Sequence, residues 1–140
     1  MPARLRASSL KGGRTAPSAM NRQEVDVYAV TAEGAFLYNA KKHALEAVAE
    51  GDLRALAGTQ AFVKDAPLNL VLVADTAKSG DMTYAAFAAG AISQNVYLYC
   101  ASEGLATVVR ASVDKAALGK ALKLRTEQKI IVAQSVGYSK

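Results

Sequence analysis

Residues 82 to 102, MTYAAFAAGAISQNVYLYCAS, carry no charge and lie between Asp81 and Glu103. They read as one long central helix. A helix without a polar stripe is one that other protein covers on most sides. The rest of the chain must supply strands and short helices to pack against it, and a second copy is expected to cover what they leave. Ala85, Ala86, Ala88, Ala89, Gly90 and Ala91 suit close approach of another backbone. Gly90 costs a helix about 1 kcal/mol against alanine, so a packing reason for it is expected. An uncharged run of this length also reaches across a bilayer. Three features argue against a membrane span: Ser93-Gln94-Asn95 at the centre, where polar groups are most costly, the many alanines, and the lack of flanking positive clusters.

The chain of 140 residues is about half hydrophobic, which suits a single globular domain with a real core. Its net charge of +5 is local. Arg4, Arg6, Lys11, Arg14 and Arg22 stand among the first 23 residues without an acid, and the remaining bases and acids balance. A nucleic-acid-binding domain shows a basic face on its folded part, so no nucleic-acid partner is expected. Residues 1 to 12 read as a flexible basic arm and residues 13 to 140 as the domain. No apolar core of a secretory signal is present, and a cytoplasmic protein is the default expectation. Cys100 is the only cysteine and His43 the only histidine. That excludes a disulfide framework and a Cys/His metal site, and no metal is expected. Cys100 is expected to be a buried small hydrophobe and His43 a solvated turn residue.

In chain order, residues 14 to 23 form a polar loop. Pro17 biases Ala16 away from helix. Ser18 and Asn21 either cap a turn or point at a ligand, and composition favours the turn. Glu24 to Val30 alternates as a strand, Gly34 is placed to supply a positive φ, and Ala35 to Asn39 returns. Leu45 to Val48 is a third short strand of this antiparallel meander. Asp52 is expected to cap a short helix from Leu53 to Ala57, ended by Gly58, with another helical turn over Gln60 to Asp65. Leu68 to Ala74, apolar on both faces apart from Asn69, reads as a central strand. After the long helix, Gly104 ends it and Ala106 to Ala111 is a strand. Asp114 caps a helix through Leu122, and Lys129 to Val136 is the last strand, with Ile130, Val132 and Val136 on one side. Mixed short elements favour α+β over a doubly wound sheet.

No Gly-rich phosphate loop, nucleophile elbow or paired carboxylates are present. No catalytic residue is assigned, and any chemistry is expected to come from a bound cofactor.

Two stretches taken together resemble the flavin-dependent nitroreductase family, especially its thiazoline/oxazoline dehydrogenase-like branch. One is Gly13-Arg14-Thr15-Ala16-Pro17-Ser18-Ala19-Met20-Asn21-Arg22-Gln23 running into the first strand. The other is Gly90-Ala91-Ile92-Ser93-Gln94-Asn95-Val96-Tyr97-Leu98, followed by Gly104-Leu105-Ala106-Thr107-Val108-Val109-Arg110. The resemblance implies an antiparallel-rich α+β sheet around a long buried helix, in an intertwined homodimer binding FMN at the subunit interface. Pro17, Ser18 and Asn21 would touch the partner's flavin, with Gln23 nearby. The backbone of Val109, Arg110 and Ala111 would approach the flavin ring near its reactive nitrogen. The implied activity is hydride transfer from NAD(P)H through FMN to a small organic acceptor. The sequence departs from the family pattern in lacking the Arg-Arg-Ser-type phosphate motif, so the domain reads as N-terminally truncated. Arg14 is a candidate to supply the phosphate charge. Ala106 and Ala111 stand where branch members often have glycine. The alternative expectation is a non-catalytic or partner-dependent remnant that dimerises without flavin.

Overall fold

A computed structural model describes residues 14–139; the expected basic arm, residues 1 to 12, lies outside them. Valine-rich alternation makes β1, Val25–Val30, which turns back into β2, Gly34–Asn39, and β3, Ala44–Glu50. β4, Leu68–Asp75, follows two short 3₁₀ turns, Arg54–Leu56 and Ala61–Asp65. Then come α1, Met82–Glu103, β5, Leu105–Arg110, α2, Lys115–Ala121, and β6, Gln128–Tyr138. The strands form one sheet in the order β3-β2-β1-β4-β6-β5, and every neighbouring pair is antiparallel. The α+β architecture expected from the sequence is the one observed.

The sheet separates two apolar layers. Tyr28, Val30, Val71, Val73 and Ala133 meet Leu118 and Leu122, from α2 and its C-terminal cap. On the opposite face Val25, Leu72 and Ala74 meet Ala85, Ala88 and Ala89 of α1. β4 lies between β1 and β6 and is buried along most of its length. This is why its sequence is apolar on both faces.

Helix caps follow the sequence closely. The Asp81 side chain accepts the Thr83 N–H at 2.8 Å, and Gly104 ends α1 in the left-handed region at φ 68°. Asp114 accepts the Ala117 N–H at 3.1 Å and caps α2.

Three details differ from expectation. Gly34 has no positive φ; a Cβ there would stand 2.5 Å from the Ala49 carbonyl oxygen, so close strand approach at the bulge between Ala35 and Phe36 explains it. The segment after Asp52 is a 3₁₀ turn over Arg54–Leu56, and Asp52 serves it by accepting from the Arg54 N–H and guanidinium. Ile130 and Val132 face opposite layers, because a bulge opposite Leu72/Val73 inserts one extra residue in β6. The protomer by itself buries one stripe of α1: Ala85, Ala88, Ala89, Ser93 and Cys100. Tyr84, Phe87, Leu98 and Tyr99 are exposed, Phe87 at 71%, and a Cβ at Gly90 would meet nothing within 4 Å. Among the described residues no helix is long and apolar enough to cross a membrane.

Candidate functional site

The loop from Arg14 to Gln23 is locked by its own polar groups. The Ser18 hydroxyl accepts the Gln23 N–H at 2.9 Å, and the Ser18 carbonyl accepts the Asn21 N–H at 3.0 Å. The Gln23 side-chain amide donates to Asn21 Oδ1 at 3.1 Å. Met20, Asn21 and Gln23 all have φ near +50°, in the left-handed region. That region is uncommon for residues other than glycine. A cluster of such residues is a mark of segments shaped for a ligand or a switch. The turn reading and the ligand reading of Ser18 and Asn21 are therefore compatible: Ser18 accepts within the turn while, among the described residues, its proton has no acceptor.

Behind the loop lies a cavity of about 400 Å³, between β1, β4 and α1. Its lining is mainly apolar, with Leu68, Leu70, Ile92 and Val136, and it is edged by Arg14, Asp26, Asn95 and Tyr38. Asn95 of α1 donates to Thr15 at 3.1 Å and ties the loop to the helix. Burial holds the Asp26 carboxyl above its ordinary range, opposed by the nearby Lys78. Glu24, the residue joining loop to β1, is fully buried, and neither carboxylate oxygen has a hydrogen-bond partner among the described residues. Tyr38 at the rim pairs with His43 Nδ1 at 2.8 Å, so His43 is an exposed turn residue with one side-chain partner.

The expected site residues fall in two groups. Arg14, Pro17, Ser18 and Gln23 line the cavity, and Asn21 stands exposed on the outer side of the same loop. Val109, Arg110 and Ala111 do not line it. The start of β1 and the end of β5 are directed toward the same end of the sheet, but β4 and β6 intervene and Arg110 is level with Tyr28, not with Val25. Three strand spacings set β1 and β5 about 14 Å apart across the sheet, before any offset along it.

At the end of β5 the Val109 N–H donates to the Tyr97 hydroxyl of α1 at 2.9 Å. The Arg110 side chain points into the protein and is 7% exposed. Its guanidinium donates to Ser135 Oγ at 2.9 Å, to Asn69 Oδ1 at 2.8 Å and to the Ala57 carbonyl. Ser135 in turn donates to Asn69 Oδ1 at 2.6 Å, and Asn69 donates to the Val63 carbonyl at 2.9 Å. Burial lowers the Arg110 pKa below the usual guanidinium value. Ala111 is exposed, and neither Ala106 nor Ala111 has a positive φ, so alanine is accommodated where branch members often carry glycine. Sequence reasoning did not find Asn69, Ser135 or Gly58 as parts of this cluster. The signal for Asn69 was its solitary polarity within LNLVLVA.

Cys100 is buried as expected, and burial pushes its thiol up, away from thiolate chemistry. Among the described residues no group of three or more His, Cys, Asp or Glu side chains is placed to hold a metal ion.

Comparison with known proteins matches this geometry to a described fold. The model of the Nitroreductase family matches residues 1–138. A structure assigned as a nitroreductase from Ralstonia eutropha JMP134 superposes with a TM-score of 0.88 at 37% identity, covering 99% of this chain and 69% of that one. The Escherichia coli microcin synthetase complex contains a chain with the same fold, with a TM-score of 0.86 at 20% identity over 99% of this chain and 63% of its own. A structure from Desulfovibrio desulfuricans, assigned as a nitroreductase in complex with FMN, shares the fold with a TM-score of 0.67 at 23% identity, covering 92% of this chain and 69% of that one. No curated protein matches. The family model spans nearly the whole chain, and the Ralstonia structure agrees with it in both sequence and fold, so the chain belongs to the nitroreductase family.

Proposed function

We propose that the protein is an FMN-dependent oxidoreductase that works as a homodimer, with residues 13 to 140 forming one domain. The observation that carries this reading is the locked loop, in which Met20, Asn21 and Gln23 are held in the left-handed region by Ser18 and Asn21. The donors available there fit a flavin edge. Ser18 offers a hydroxyl proton and the exposed Asn21 a side-chain amide, both suited to ring carbonyls and nitrogens. Arg14, whose contact with the Val25 carbonyl is long at 3.4 Å, would supply charge for the phosphate. Backbone at Val109, Arg110 and Ala111 would border the ring on its other side.

The separation of the two groups favours a site shared between copies, one giving the loop and the other the end of β5. The outward stripe of α1 supports such a dimer. Tyr84, Phe87, Ala91 and Leu98 recur at helical spacing on one side, interrupted by Gln94, and Tyr84, Phe87 and Leu98 are exposed. An apolar stripe of this kind marks an interaction surface. When bound, FMN would supply two-electron chemistry, with NAD(P)H as donor and a small organic molecule as acceptor. The protein's part is to orient the ring and exclude water from one face.

The test is an FMN titration of the purified protein, followed by visible absorption after desalting and by NAD(P)H oxidation. Retained flavin bands, lost in Ser18→Ala and Asn21→Ala, are expected. A folded, dimeric protein that stays colourless would favour the non-catalytic reading instead.

A further inference from the structure

We propose that Arg110 is a positioning charge: a guanidinium seated behind the Val109 to Ala111 backbone that stabilises negative charge on a flavin held against that backbone. The inference rests on the flavin reading above and deepens it: the Arg110 side chain is buried against Asn69, Ser135 and Ala57, while the next residue, Ala111, is exposed. Every acceptor of Arg110 is neutral. They are the Ser135 hydroxyl, the Asn69 side-chain carbonyl and the Ala57 backbone carbonyl. The ion pairs among the described residues are Lys42–Glu46, Arg54–Asp52, Arg125–Asp75 and Arg125–Glu127, and Arg110 is in none of them.

A buried charge is costly unless it is paired. Here the fold retains one, satisfies its hydrogen bonds with dipoles, and leaves its charge uncompensated. Gly58 is part of that arrangement, since a Cβ there would stand 2.2 Å from the guanidinium Nη1. The field of such a cation is weakly screened inside the protein. The neighbouring surface along the chain is Ala111, which is exposed. FMN reduced by two electrons readily releases a ring proton and then carries added negative charge. A fixed cation behind the ring favours that form over the oxidised one. A guanidinium that is only a structural clip makes no such distinction.

The experiment measures the affinity of the protein for oxidised FMN and, anaerobically, for dithionite-reduced FMN, in the wild type, Arg110→Gln and Arg110→Lys. The expected result is an affinity ratio of reduced to oxidised FMN about tenfold lower in Arg110→Gln, equivalent to a fall of about 30 mV in the potential of the bound flavin. Arg110→Lys restores the ratio. Asn69→Asp provides a second route should Arg110→Gln fail to fold: it keeps the arginine but sets a carboxylate beside it, and is expected to lower the ratio likewise. An unchanged ratio in the folded variants, with only the melting temperature altered, would overturn the charge role and leave the flavin reading standing. A wild type that binds FMN in neither oxidation state would overturn both.

Discussion

Gly58→Ala is the substitution whose consequence the structure defines most sharply. A Cβ at residue 58 would lie 2.2 Å from Arg110 Nη1, 2.8 Å from Cζ and 2.9 Å from Val63 Cγ2. The guanidinium is held by Ala57, Asn69 and Ser135, so moving it away from residue 58 strains these bonds. Gly58 has no positive φ, so alanine suffers no backbone strain and gains about 0.4–1 kcal/mol from a less flexible unfolded chain. Against that, a hydrogen bond to a charged group contributes about 1.5–3 kcal/mol. Losing the Ala57 bond and loosening one other comes to about 3–4 kcal/mol, for a net destabilisation of about 2–3 kcal/mol. Urea unfolding at fixed protein concentration measures it, as a fall in midpoint of about 1 M for a slope near 2 kcal/mol/M. The mechanism requires coupling. In an Arg110→Ala background the same substitution keeps only the Val63 contact and should cost less than about 1 kcal/mol, giving an interaction energy above about 1 kcal/mol. A Gly58→Ala protein as stable as wild type, or an equal cost in both backgrounds, would refute the reasoning.

Three further outcomes are expected. Asp26→Asn should stabilise the protein at pH 7 by removing a carboxylate whose ionisation burial opposes. Because its folded pKa is raised, Asp26 weakens the fold as pH rises from 3.8 through the folded value, so the advantage should vanish below 3.8 in unfolding curves taken across pH. Asp114→Ala should cost about 1 kcal/mol through loss of the cap on the Ala117 N–H, read by thermal denaturation. Phe87→Glu, at the exposed centre of the α1 stripe, should leave the protomer folded by circular dichroism but shift it to monomer in sedimentation velocity; an unchanged dimer would remove that stripe from the interface.

Much of the fold was legible because its signals are local. Asp81, Gly104 and Asp114 act within one helical turn of themselves, and each does what its residue type predicts. β4 was legible because only an interior strand tolerates apolar residues on both faces. Apart from the 3₁₀ turn after Asp52, the failures are tertiary. Gly34 reads as a turn glycine, yet its constraint is the Ala49 carbonyl on the next strand. Ile130 and Val132 obey strict alternation in sequence, but a bulge opposite Leu72/Val73 turns them to different layers. Gly58 reads as a helix terminator until Arg110 is placed against it.

The candidate site divides along the same line. The loop from Arg14 to Gln23 is contiguous, so its turn character was legible from Pro17, Ser18 and Asn21, and the structure adds the three left-handed residues that shape it. The family resemblance would set the Arg110 backbone beside a flavin. Its side chain instead answers to Asn69 and Ser135, 41 and 25 residues distant in sequence. β5 therefore has two attachments, one made by a backbone N–H and one by an inward side chain. Its half-buried Val109 is tied to α1 through Tyr97, while Arg110 faces the polar cluster beneath. A helix that is apolar on its outward side and also fixes the edge of β5 links the proposed dimer surface to the proposed flavin surface. Substitutions on α1 that loosen the dimer should for that reason weaken FMN binding together with it.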